Sequence, residues 1–302
     1  METRRIASLE VSLTGLGCNN FGWRIDDAAS RRVVDAALDA GINFFDTADI
    51  YDQGHSEEFL GRALQGKRNR AVIASKFGMK MEGIGQGAKP DYVRSAVEAS
   101  LRRLDVDRID LYQIHKPDPD TPIADTLGAL DDLVKQGKVA EIGCSNFNPD
   151  QLREAAKAAD TGARFVSVQN EYSLFHRDPE EGVLEECERE KLAFLPYFPL
   201  ANGLLTGKYR AGKDLPEGSR GHAGWGPKVF TAENLAKVEK LAQFCEARGH
   251  TLLELAFSWL ASHRQVASVI AGATSPEQVR ANAKATEWKL SEAERHEVES
   301  IV

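Results

Sequence analysis

The chain has 302 residues, 42% of them hydrophobic, enough to bury a large core. Its 38 basic and 46 acidic residues leave a net charge of -8, which argues against a nucleic-acid partner because phosphate binding needs a basic face. No apolar run approaches the roughly 20 residues of a membrane span, the N-terminus lacks the long apolar region of a secretion signal, and Cys18, Cys144, Cys187 and Cys245 are scattered without metal-ligand spacing, which predicts reduced thiols in a cytoplasmic protein.

Residues 4–13 alternate weakly and read as a β-hairpin, and 13–17 as a first short strand. A helix is expected over 26–40: Asp26 or Asp27 can cap it, Val33, Val34, Ala37 and Leu38 share one face, and Gly41 ends it. The apolar run Ile42-Asn43-Phe44-Phe45 breaks into polar residues at Asp46, with Tyr51 just beyond. A helix over 56–65, capped by Ser56, comes next. The strand at 71–75 ends at Lys76, and a Gly-rich loop (78–87) leads to a helix over 90–104. The strand at 109–114 ends at His115 and precedes a helix over 121–136, with Pro122 in its first turn. Strands at 139–144, 165–170 and 192–197 alternate with helices at 149–159 and 179–190. An irregular stretch over 198–230 leads to helices at 232–248 and 251–263, a last strand at 266–270, and helices at 276–286 and 291–301.

Repeated strand-then-helix order implies a parallel sheet with right-handed crossovers, and eight such units close into a barrel. The expectation is α/β: a (β/α)8 TIM barrel with an N-terminal β-hairpin and extra C-terminal helices, one domain over 1–302. An open doubly wound sheet would want a glycine fingerprint opening a helix, but Gly15-x-Gly17 lacks the third glycine and runs into a polar loop.

In a barrel the C-terminal strand ends face one mouth. Asp46, Tyr51, Lys76 and His115 come from three successive strand ends or the loops just after them. Singly, each has a plain reading: a turn cap, half-buried packing, a solvated strand end, a core histidine. Together they form a coherent site. A tyrosine, with a pKa of about 10, is a poor acid at neutral pH. A lysine cation beside it favours the phenolate, and Asp46 supplies the counter-charge that keeps a buried lysine protonated. His115 is placed to hydrogen-bond the Tyr51 hydroxyl and a substrate oxygen. Such a group can protonate a carbonyl oxygen while a hydride reaches its carbon.

Several segments, in the same order along the chain, resemble the aldo-keto reductases: GLGCNNFG at Gly15, INFFDTADIY at Ile42, ASKFG at Ala74, LYQIHKPDP at Leu111, GKVAEIGCSNF at Gly137, VQNEYSL at Val168, LPYFPLANGLLTGKY at Leu195 and AGATSPEQVRAN at Ala271. The resemblance implies a (β/α)8 barrel that reduces an aldehyde or ketone, a small-molecule carbonyl substrate, with Asp46, Tyr51, Lys76 and His115 as the catalytic tetrad and Tyr51 as proton donor. It implies no metal. Its cofactor would be NADPH, with NADH as the alternative, bound extended.

By the same resemblance Ser145, Asn146 and Gln169 would hold the carboxamide, and Tyr197 would stack on the nicotinamide unless it is a core aromatic. The loop from Pro199 and Leu200 through Gly203 and Leu205 to Lys208 would cross the pyrophosphate. Gly272, Thr274, Gln278 and Asn282 would lie on the adenosine side, where Ser275-Pro276-Glu277-Gln278 reads as a capping box opening a helix. Phe198 stands where many members have serine, Ala271 replaces a common proline, and Gly272 and Thr274 stand where other members carry a basic residue. The nearest cation is then Arg280, with Lys208 and Arg220 from the long loop, and a narrower preference for NADPH is expected. Trp23, Phe77 and Trp225 are candidates for the substrate wall. Two other readings stay open: a binding protein on this fold, as in the potassium-channel β-subunits, and a Schiff-base lyase with Lys76 as nucleophile, which Asp46 disfavours by keeping the amine protonated.

Overall fold

A computed structural model describes residues 1–209 and 229–302. Strands β1 (Thr3–Ile6) and β2 (Leu9–Ser12) form the antiparallel hairpin. Eight parallel strands follow: β3 (Thr14–Gly17), β4 (Phe44–Asp46), β5 (Val72–Phe77), β6 (Ile109–Ile114), β7 (Val139–Ser145), β8 (Phe165–Glu171), β9 (Ala193–Tyr197) and β10 (Val269–Gly272). Their order in the sheet is β10-β3-β4-β5-β6-β7-β8-β9. The ring closes where Phe194 N donates to Gln265 O at 2.7 Å and Ala267 N donates to Phe194 O at 3.0 Å. That crossing explains why β10 begins at Val269 rather than at 266: Val266 and Ala267 still pair with β9 before the chain reaches β3.

The hairpin lies across the N-terminal strand ends. Ser12 N donates to Asn43 Oδ1 beside β4, Ser8 N to Glu141 Oε1 in β7, and Arg4 Nη1 to Val266 O ahead of β10. Ile6 and Val11 thereby join Phe44, Ala74, Leu111, Leu195 and Ile270 in one inner apolar cluster. Burying these side chains closes that end of the barrel, at about 25 cal/mol per Å2 of apolar surface withdrawn from water, and leaves the opposite end open.

The helices cover the outside: α1 (Asp27–Asp39), α2 (His55–Leu64), α3 (Pro90–Leu104), α4 (Ile123–Lys135), α5 (Pro149–Ala158), α6 (Val183–Glu190), α7 (Ala232–Glu246), α8 (Leu252–Ala261), α9 (Pro276–Lys284) and α10 (Glu292–Glu299). Asp26 caps α1 through Ala29 N. Some boundaries differ from expectation. Helix α2 starts at His55, behind Gly54 at φ 99, because the Ser56 hydroxyl is buried and donates to Cys18 O at 2.9 Å instead of capping. Helix α6 starts at Val183, because Gly182 at φ 110 breaks the chain after a 3-10 turn over Asp178–Glu180. Pro122 is the N-cap of α4 and lies outside the helix proper. Among the described residues no helix is long and apolar enough to cross a membrane.

Candidate active site

Strands β4, β5 and β6 bring the four expected groups together at the open end. Lys76, on β5, is fully buried. Its Nζ donates to Asp46 Oδ2 at 2.7 Å, to Thr47 O at 2.8 Å and to Tyr51 Oη at 3.3 Å, so the three N–H bonds of the ammonium are all used. Asp46 is held from its other side by Gln169 Nε2 at 2.9 Å and Gln113 Nε2 at 3.4 Å. Burial works against the Lys76 charge, but Asp46 and Tyr51 together outweigh it and the ammonium is held above its ordinary value.

The phenol behaves differently from the sequence expectation. Burial pushes Tyr51 up, and the Lys76 cation only partly offsets that, so its net shift is upward. His115 does not hydrogen-bond the Tyr51 hydroxyl. Its ring stands edge-on to Tyr51, with centroids 5.9 Å apart. Burial first, then the Lys76 and Lys116 charges, lower His115 to about 3, so it is a neutral imidazole at working pH. Its Nδ1 is buried and has no hydrogen-bond partner among the described residues.

A cleft of about 660 Å3 runs from Asp46, Tyr51 and His115 to Thr274, Gln278 and Asn282. Twelve of the thirteen expected cofactor positions line it: Ser145, Asn146, Gln169, Tyr197, Pro199, Leu200, Gly203, Lys208, Gly272, Thr274, Gln278 and Asn282. Leu205 does not, being buried in the core. Several of these side chains are already engaged. Ser145 Oγ donates to Gln169 O at 2.7 Å, Asn146 Nδ2 to His115 O at 2.9 Å, and Tyr197 Oη to Asn146 Oδ1 at 2.8 Å. Gln169 spends its amide on Asp46, and among the described residues its side-chain carbonyl oxygen takes no hydrogen bond.

Ser275 caps α9 by accepting from Gln278 N, but the reciprocal half of the capping box is shifted by one residue: Gln278 Oε1 accepts from Thr274 N at 2.8 Å. A Cβ at Gly272 would lie 2.9 Å from Asn20 Nδ2, so a side chain here would crowd the cleft wall. Arg280 is exposed, pairs with Glu277 at 3.6 Å, and is not part of the lining. Among the described residues the cations that do line the cleft are Lys208 and Arg24, and Arg24 is not among the residues expected from the sequence. Its signal was its place in the loop directly after β3. Of the expected substrate wall, Phe77 is buried and stacked on Tyr112 at 4.9 Å, behind the barrel wall, because β5 points it outward. Trp23 is exposed and outside the lining, while Phe198 lines the cleft. Trp225 and Arg220 lie outside the described residues.

The cleft fits an extended dinucleotide. It has an aromatic ring, Tyr197, in the same lining as the phenol, two cations among the described residues of its walls, and the N-terminus of α9 at the far end.

Residues 14–302 match the family model described as the aldo/keto reductase family. The chain is 37% identical to a probable aldo-keto reductase 1 of Glycine max, over 96% of this chain and 85% of that protein. It is 33% identical to an aldo-keto reductase of Schizosaccharomyces pombe whose name carries NADP(+), over 98% of this chain and 90% of that one. Among solved structures, the glycerol dehydrogenase of Gluconobacter oxydans superposes with a TM-score of 0.86 at 34% identity, covering 99% of this chain and 94% of the other.

Proposed function

The chain belongs to the aldo/keto reductase family, and we propose that it reduces an aldehyde or ketone to the alcohol with NADPH, using Tyr51 as the proton donor. The observation that carries this reading is the single Lys76 ammonium in contact with Asp46, Thr47 O and Tyr51 Oη at once. A reduced nicotinamide dinucleotide held by the cleft residues would be the source of the hydride for the carbonyl carbon. Tyr51 gives its proton to the carbonyl oxygen, and Lys76 stabilises the phenolate that remains. Asp46, gripped by Gln113 and Gln169, fixes Lys76 in the charged form. His115, neutral, donates from Nε2 to the substrate oxygen, since a bare lone pair at the unpartnered Nδ1 costs less than an unsatisfied N–H. A Schiff-base role for Lys76 is disfavoured, because its amine is committed and protonated.

Ser145, Asn146, Gln169 and Tyr197 would receive the nicotinamide end, and residues 199–208 with Lys208 and Arg24 the pyrophosphate. Gly272, Thr274, Gln278 and Asn282 would receive the adenosine end. Support for NADPH is the cationic wall and the α9 N-terminus, and the narrow margin follows from Arg280 being turned to Glu277. The four cysteines are free and buried, in keeping with a cytoplasmic location. A panel of aldehydes, ketones and alcohols, read by absorbance of the reduced cofactor, tests the activity. Cofactor binding without turnover on any of them would favour a binding protein instead.

A further inference from the structure

Tyr51 stands at the head of a backbone turn that few side chains can adopt. The next two residues, Asp52 and Gln53, have φ 47 and 55, and Gly54 has φ 99. Left-handed backbone is costly for residues that carry a Cβ, and it persists only where its surroundings enforce it. The Tyr51 backbone belongs to this turn: its carbonyl accepts from His55 N, and its N–H donates to Ala48 O at 3.2 Å. The phenol is therefore placed by the turn. Its 3.3 Å contact is the longest of the three that the Lys76 ammonium makes, which leaves little slack.

Neighbours on several sides hold the turn. Gln53 Oε1 accepts from Glu82 N at 3.2 Å, which ties it to the loop after β5. Gly54 makes room for Arg103 of α3, since a Cβ there would lie 2.6 Å from Arg103 Cδ. Asp52 uses its carboxylate twice. Its Oδ2 is 3.0 Å from His55 Nδ1, and a carboxylate can only accept, so the imidazole donates. The same oxygen closes on the loop after β3: a Cβ on Gly22, itself at φ 83, would lie 2.2 Å from it. Asn20 and Arg24, on either side of Gly22, line the cleft. The side chains of Asp52 and His55 are 37% and 56% exposed, so their charges contribute little. What Asp52 supplies is handedness and fit. Aspartate enters the left-handed region more readily than most residues, and its short carboxylate meets both neighbours at once.

We propose that Asp52 is a positioning residue for the reaction: its left-handed backbone and its carboxylate, seated between His55 and Gly22, hold the turn that presents the Tyr51 hydroxyl to Lys76 and to the substrate. The inference rests on the reading of Tyr51 as the proton donor. Asp52 itself touches none of the reacting groups. Losing its hold misplaces the phenol, which slows proton transfer while the cofactor still binds.

Asp52→Val resists the left-handed region and cannot accept from His55. With NADPH and 4-nitrobenzaldehyde its kcat should fall roughly ten- to hundredfold, with NADPH binding close to that of the wild type. Its solvent deuterium isotope effect on kcat should rise, because proton transfer then limits the rate more. Asp52→Asn keeps the backbone preference and an acceptor for His55, and should retain most of the wild-type kcat. Wild-type kcat in Asp52→Val overturns the proposal, and so does a loss in Asp52→Asn as large as in Asp52→Val. Should Asp52→Val not fold, Gly22→Ala tests the same contact from the other loop, since its Cβ must displace the carboxylate. An unchanged kcat and isotope effect there overturn the proposal.

A double-mutant cycle with Tyr51→Phe separates this inference from the reading beneath it. Acting through the phenol, Asp52→Val should slow single-turnover reduction in the wild-type background and add little to the loss already caused by Tyr51→Phe. Equal effects in the two backgrounds overturn the positioning role and leave the donor assignment standing. Wild-type turnover in Tyr51→Phe alone removes the donor assignment, and the positioning role with it.

Discussion

Lys76 Nζ lies 2.7 Å from Asp46 Oδ2, with 1% and 4% of the two side chains exposed. A pair this deep is costly to break, because the surviving charge has no solvent to fall back on. Lys76→Met is expected to abolish turnover and to lower the unfolding free energy by about 3–5 kcal/mol. Urea denaturation checks it, and a melt like that of the wild type would mean that Asp46 finds another cation.

Helices α2 and α3 meet at Gly61. A Cβ there would stand 2.4 Å from Leu104 O, a backbone atom that cannot swing aside. Gly61→Ala should therefore destabilise by about 1–3 kcal/mol, as overpacking does, despite alanine's better helix propensity. Thermal melts of the two proteins decide it, and a more stable variant would show that the helices slide apart freely.

The barrel was legible because its strands are continuous apolar runs ending in polar groups, which is how strands covered on both faces read. Asp46, Lys76 and His115 stand out on that pattern alone. Less visible were features set by tertiary contacts. Ser56 looks like a cap but its hydroxyl is drawn inward to Cys18 O. The start of β10 depends on β9 holding Val266 and Ala267. The upward shift of Tyr51 depends on how completely its surroundings exclude water, which a list of nearby charges does not reveal. Arg24 escaped notice because a lone arginine in a loop carries no pattern.

Cofactor discrimination follows from where the cations stand. Arg280 faces Glu277 on the surface, so Arg280→Ala should leave the ratio of NADPH to NADH dissociation constants unchanged. Lys208→Met should weaken both, since one charge-assisted bond contributes roughly 1.5–3 kcal/mol. Quenching of tryptophan fluorescence gives both constants. Tighter binding of NADH than of NADPH would overturn the preference proposed above.

Tyr197 is braced by Asn146 and packs edge-on to Phe198, with ring centroids 5.1 Å apart. Tyr197→Ala removes a ring proposed to stack on the nicotinamide, a contact in the class of aromatic pairs that contribute about 0.5–1.5 kcal/mol. The dissociation constant for NADPH should rise roughly two- to tenfold, measurable by titration calorimetry. An unchanged constant would make Tyr197 a packing residue only.

Proton donation by Tyr51 is tested most directly by single-turnover reduction of 4-nitrobenzaldehyde by Tyr51→Phe preloaded with NADPH. The phenyl ring keeps the packing against His115 and removes only the hydroxyl that Lys76 contacts. The expected result is NADPH binding close to that of the wild type with cofactor oxidation slowed by at least about a hundredfold, the lower end of what a general acid contributes. Oxidation at the wild-type rate would rule out Tyr51 as the donor, because among the described residues no other phenol contacts the Lys76 ammonium.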